Sequence, residues 1–171
     1  KHSLGTEYNE RRESCERVVE LIAKNHPEVL SLRDADMAML KEIEGDINAT
    51  DFKGAKYVLE EKERVLAVCD ALEKGDYNTV GEKMFSTHWG LSKEYTVSCQ
   101  ELDFLAEFAQ SFGVTGSRVM GGGFGGCTIN LIPEALHDEF IAKAKDAFND
   151  KFGHYPEVYE IIIGDGAKKL Q

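Results

Sequence analysis

Gly116-Ser117-Arg118-Val119-Met120-Gly121-Gly122-Gly123-Phe124-Gly125-Gly126-Cys127-Thr128-Ile129-Asn130-Leu131-Ile132 is the stretch on which the reading of this chain turns. After the glycines, Cys127, Ile129 and Leu131 alternate with Thr128, Asn130 and Ile132, which is the period of a strand. Before them, 117–120 is short and extended. Between the two stand five glycines in six positions. Each gives up roughly 0.5–1 kcal/mol relative to alanine in regular structure, and a hairpin needs only one or two. Such a density lets a backbone approach a ligand with its N–H groups free to face an anion. A close-packed structural turn is the competing reading. The segment formally matches G-x-G-x-x-G at Gly121, Gly123 and Gly126. A dinucleotide-binding fold needs a helix after the last glycine, and here a strand follows. No Lys-Ser or Lys-Thr follows it either, as a P-loop requires. A protein-kinase glycine loop also joins two strands, but its lysine strand and His-Arg-Asp loop are absent.

Upstream of this stretch the periodicity is helical. Cys15, Val18, Val19, Ile22 and Ala23 share one face of a helix predicted over 11–24, which Pro27 closes. Further helices are predicted over 34–44, 53–74, 77–93 and 99–112. In the third helix of the series, Val58, Val65, Leu66, Cys69 and Leu72 are expected to face inward. Downstream, Pro133 suits the first turn of a helix over 134–152, and the apolar run 158–163 is expected to be a central strand. The order is therefore five helices (1–112), then strand, glycine loop, strand, helix, strand (113–171). That order is an α+β fold with helices on one face of a small antiparallel sheet. A sheet of three strands would gain from a fourth, expected just upstream of Lys1. No repeat or low-complexity segment interrupts the chain.

The composition excludes several classes. Across 171 residues, 42% are apolar and the net charge is −11, which suits a globular domain and disfavours binding to a phosphate backbone. No run of about 20 apolar residues offers a membrane span, and no signal peptide is evident. Cys15, Cys69, Cys99 and Cys127 form no C-x-x-C pair and read as reduced thiols of a cytoplasmic protein. The five histidines, among them His88, show no i, i+4 zinc spacing, so no metal ligands are expected. Read from the residues alone, Tyr8 is a packing residue. Arg11 and Arg12, among Glu7, Glu10, Glu13 and Glu16, form a solvated, ion-paired helix face. His88 and Trp89 read as helix-packing residues, and Phe124 as an anchor of the loop into the core. Arg118 pairs with a carboxylate or faces a cleft.

The segment 116–127 resembles the third conserved motif of the GHMP small-molecule kinases, in the form it takes in the galactokinase family. His2-Ser3-Leu4 followed by Glu7-Tyr8-Asn9-Glu10-Arg11-Arg12-Glu13-Ser14-Cys15 resembles the segment that opens the C-terminal half of that family. Ser86-Thr87-His88, Leu91-Ser92, Tyr95, Val97-Ser98-Cys99 and Glu101-Leu102-Asp103 resemble its middle helical signature, and Asp165-Gly166-Ala167 its C-terminal end. The glycine motif alone points to the superfamily; its combination with the Tyr8 and Tyr95–Asp103 segments makes the resemblance to galactokinases specific.

The resemblance implies a GHMP-kinase C-terminal domain, a ferredoxin-like sheet with helices packed on it and an added helical layer. It implies transfer of the γ-phosphate of MgATP to the C1 hydroxyl of α-D-galactose in a full-length enzyme. The catalytic carboxylate, arginine, serine-rich phosphate loop and magnesium ligands of the family lie upstream, so no catalytic residue is expected in this chain and the chain alone should be inactive. Its contribution would be one wall of the site. Tyr8 matches a tyrosine whose hydroxyl contacts the sugar, and Gly121, Gly122, Gly123, Phe124, Gly125 and Gly126 form the loop against the phosphates. The missing N-terminal half is the expected partner. Two departures stand out: Met120 where the family commonly has threonine, and Gln100 where it has proline. An N-acetylgalactosamine kinase and a non-catalytic galactose and ATP sensor on the same fold are the alternatives.

Overall fold

In a computed structural model, which describes residues 4–164 and 166, short polar side chains cap the starts of three helices and left-handed glycines close two. Six helices form: α1 (Leu4–Ile22), α2 (Met37–Glu42), α3 (Ala49–Glu73), α4 (Tyr77–Lys93), α5 (Gln100–Phe112) and α6 (His137–Phe152). Asp36, Asn48 and Asp76 cap α2, α3 and α4, each accepting from backbone N–H groups two or three residues on. Gly113 closes α5 and Gly153 closes α6, both in the left-handed conformation. Two strands, β1 (Gly116–Met120) and β2 (Cys127–Leu131), pair antiparallel with Gly116 opposite Leu131 and Met120 opposite Cys127. His2, Ser3, Asp165 and Ala167, which carry part of the resemblance, lie outside the described residues.

Two cores hold the elements. Val18 and Ile22 of α1, Leu40 of α2, and Ala55 and Leu59 of α3 form the added helical layer, with Val29 from the connecting loop. Ala109 of α5 and Phe140 and Ala144 of α6 form the second, with Phe108 and Phe112 stacked beside them. β1 lies on α4 and α5, and its Ser117 and Val119 are fully buried.

Within the fold, the structure corrects the expected elements in three places. α1 starts at Leu4 rather than at residue 11, so Tyr8 is helical. On α3, Val65, Leu66, Cys69 and Leu72 face outward, and Leu66 is 60% exposed. The face turned to α4 is instead made by Tyr57, Glu61, Arg64 and Ala71. There Thr87 Oγ1 donates to the Glu61 carboxylate (2.8 Å), and the Arg64 guanidinium lies over the Tyr57 ring, 5.3 Å from its centre. Third, 158–163 is irregular, and Ile162 and Ile163 are 94% and 100% exposed. A strand exists only through a ladder partner, and among the described residues β1 and β2 pair with each other alone. Among the described residues the sheet is two-stranded, within the expected α+β architecture.

α1 and α3 are locked by a carboxylate that the sequence did not single out. Arg17 donates to both Asp51 oxygens (2.8 Å each), Ser14 Oγ donates to one (2.6 Å) and Asn48 Nδ2 to the other (2.8 Å). These donors, Arg17 foremost, hold the Asp51 carboxyl down at about 2. The folded-state value lies below the unfolded one of about 3.9. The stabilisation is therefore complete above about pH 4 and lost as the pH falls through about 2. Asp51→Asn is expected to cost on the order of 2 kcal/mol at pH 7. Urea unfolding of the two proteins should converge near pH 2; a gap that persists there would show that Asp51 acts through packing, not charge.

Candidate functional site

Tyr8 and the glycine loop, far apart in sequence, meet. The ring of Tyr8 meets Phe124 edge to face, with centroids 5.4 Å apart and planes at 86°. Its hydroxyl lies where a side chain at position 122 would begin: a Cβ on Gly122 would stand 2.0 Å from Tyr8 Oη. Tyr8 remains 44% exposed, so the residue is not enclosed by the packing of the loop. Phe124 anchors the loop to α1 rather than to the core, and is itself left-handed (φ 59°).

The loop is pinned from behind at Phe124, whose N–H donates to Val97 O (2.6 Å). Gly123 makes that approach possible. Its φ is +80°, and a Cβ there would lie 2.1 Å from Val97 O. Among the described residues, Phe124 N–H is the one loop amide with such a partner, which leaves the glycine N–H groups free for an anion.

The 95–98 segment that carries Val97 is held by Arg11. Arg11 Nε donates to Tyr95 O (2.9 Å) and Nη2 to Thr96 Oγ1 (2.6 Å), beside a left-handed Thr96 (φ 56°). The reading of Arg11 as a solvated, ion-paired residue is therefore corrected. Arg12 alone keeps that role, 2.8 Å from exposed Glu16. Tyr95 packs beside Tyr57, and burial pushes its phenol up to about 12, so it stays neutral and structural.

Deeper still, the Asp103 carboxylate accepts from Ser92 Oγ (2.7 Å) and Ser98 Oγ (2.6 Å) and pairs with His88 Nε2 (3.1 Å). His88 is 0% exposed, and burial lowers its pKa against the pull of Asp103. Its Nδ1 accepts from Val119 N–H (3.2 Å). The sequence reading of His88 as mere packing missed this network. Helical periodicity reports that a position is buried, not which polar partners cross to it.

Arg118 donates to Val119 O (3.1 Å) and makes no ion pair among the described residues. Met120 is exposed at the end of β1. On the other side of the loop an open cavity of about 1190 Å³ runs from Phe124, Gly125 and Gly126 along β2 to α6 and Ile161. No group of three or more His, Cys, Asp or Glu suited to a metal occurs among the described residues, and no described helix is long and apolar enough to cross a membrane. All four cysteines are unpaired.

The family model described as GHMP kinases C terminal matches residues 68–150, which include α4, α5, both strands, the glycine loop and most of α6. Over these residues the chain is similar to the C-terminal domain of the GHMP kinases. It is 37% identical to a galactokinase of Thermotoga neapolitana over 172 residues, 99% of this chain and 47% of that protein. It is also 37% identical to a galactokinase of Clostridium acetobutylicum, over 96% of this chain and 43% of the other. A crystal structure of Lactococcus lactis galactokinase complexed with galactose superposes with a TM-score of 0.82 at 26% identity, covering 91% of this chain and 40% of that one. The chain thus spans about half the length of the curated relatives it matches. The similarity reaches beyond the family model to α1, so it includes the helix that brings Tyr8 to the loop.

Proposed function

We propose that this chain is the C-terminal half of a galactokinase, which transfers the γ-phosphate of MgATP to the C1 hydroxyl of galactose. The observation that carries the reading is the contact of Tyr8 with Gly122. It puts a hydroxyl suited to a sugar hydroxyl beside backbone suited to a phosphate, as a kinase that joins the two requires. The residues present fit that division of labour. Glycine N–H groups without a backbone partner among the described residues can take phosphate oxygens, and Tyr8 can orient the sugar. Magnesium supplies charge neutralisation when bound, and its ligands are assigned to the other half of a protein of the relatives' length. The chain's own share is positioning: Phe124 and Val97 hold the loop, and Tyr8 orients the acceptor.

The present unit is mainly helical to residue 112, then strand, loop, strand and helix. The compartment assigned is the cytoplasm, which suits four reduced thiols.

The test is an ADP-release assay on a protein of the relatives' length, with galactose, N-acetylgalactosamine and MgATP, and on this chain alone. Turnover with galactose by the longer protein only is expected. Preference for N-acetylgalactosamine would reassign the sugar. No turnover with either, alongside retained sugar and ATP binding, would make it a sensor. Tyr8→Phe belongs in the same assay. Loss of one hydroxyl should weaken the galactose dependence by about 0.5–1.5 kcal/mol, a few-fold to tenfold, with the ATP KM unmoved. An equal shift in the ATP term would remove Tyr8 from the sugar site.

A further inference from the structure

We propose that His88, held by Asp103 in its Nε2–H tautomer, is a positioning residue that sets the glycine loop from inside the core. The tautomer follows from geometry. Val119 N–H can only donate, so the His88 Nδ1 that faces it at 3.2 Å carries no proton. Nε2 then bears the hydrogen and gives it to Asp103 Oδ1 at 3.1 Å. Val119 is one residue from the end of β1, and the loop begins at Gly121.

The same carboxylate reaches the loop's other anchor. Asp103 Oδ1 also accepts from Ser98 Oγ (2.6 Å), and the neighbouring Val97 carbonyl takes the Phe124 N–H. One carboxylate on α5 therefore ties together the strand that feeds the loop and the segment that pins its tip. The Asp103 oxygen not shared with His88 and Ser98 accepts from Ser92 Oγ, which fixes the carboxylate plane. Trp89 closes the imidazole edge on, with ring centroids 4.9 Å apart. His88 touches no ligand site; it acts through Val119. Its value to catalysis rests on the kinase reading above, but the control of loop position does not.

Two substitutions separate positioning from filling space. Asparagine can put an acceptor where Nδ1 stands and keep Val119 N–H paired. Glutamine reaches the Nε2 position and keeps the link to Asp103, but leaves Val119 N–H unpaired. In the isotope-labelled chain, His88→Gln should shift the amide resonances of 121–126, and His88→Asn should largely spare them. Long-range nitrogen–proton spectra of the unsubstituted chain should show His88 Nδ1 bare and Nε2 protonated. In a protein of the relatives' length, His88→Gln should lower kcat on the order of tenfold to a hundredfold with both KM values within about twofold, and His88→Asn should restore most of it.

Equal loop spectra for the two variants, or a protonated Nδ1, would overturn the proposal. If the longer protein phosphorylates no sugar, the kinase reading falls, and the loop spectra alone decide this one. If neither His88 variant folds, Ser98→Ala takes their place, because it removes one hydroxyl from a half-buried loop. Faster hydrogen exchange at the Phe124 amide supports the clamp, and unchanged exchange refutes it.

Discussion

Gly123→Ala, in a protein of the relatives' length, should lower kcat on the order of a hundredfold. The methyl group would begin 2.1 Å from the carbonyl oxygen of Val97, a backbone atom that no rotamer change can move aside. Relief has to come from the loop, which must release the Phe124–Val97 bond and shift toward the side proposed to face the phosphates. A displacement near 1 Å in such a site carries the rate loss quoted. Stability also falls, because alanine is strained at φ +80°; about 1 kcal/mol or somewhat more is expected. Gly75→Ala is the control for that strain. Gly75 has φ +68° and nothing within 4 Å, at the end of α3 and away from the loop. It should melt earlier yet keep its kcat per folded molecule. If Gly123→Ala behaves the same way, the loop is a turn and nothing more.

Gly81→Ala should be the most destabilising single methyl group in the chain. A Cβ at this position would stand 1.8 Å from Thr115 O and 2.4 Å from its carbonyl carbon. α4 and the start of β1 are in backbone contact there, and both sides are regular structure or its immediate flank. Overpacking commonly costs 1–3 kcal/mol, and a clash of backbone on backbone belongs at or above the upper end. About 3 kcal/mol corresponds to a fall in Tm of roughly 10 °C for a chain of this size. Gly45→Ala, with nothing within 4 Å, should stay within about 0.5 kcal/mol of the parent. A Gly81→Ala protein that melts with the parent would mean that α4 does not pack on β1 as described.

Local order was legible in the sequence because its causes are local. Asp76 and Gly113 bound their helices through bonds made within a few residues. The alternation over Cys127 to Leu131 marked β2 through the pleat itself. The density of glycine around Phe124 marked the loop through the cost of placing it anywhere else. From these the sequence determined an α+β chain whose helices precede a strand, a glycine loop and a second strand. Its likeness to one kinase family singled out Tyr8.

Tertiary structure decided what depends on a partner. Leu66 and Leu72 face water because α4 chose the Tyr57 and Arg64 face of α3 through the hydrogen bond from Thr87 to Glu61. Segment 158–163 has strand composition but no ladder partner among the described residues, and a strand cannot form alone. Arg11, one acidic neighbour away from an ordinary surface arginine, is claimed by the Tyr95 carbonyl 84 positions on. His88 and Asp103 sit 15 residues apart on different helices, and only their packing turns the two side chains into one clamp on the loop. In each case the deciding energy is a hydrogen bond or contact across the fold, and its partner cannot be read from the residue's own neighbours in sequence.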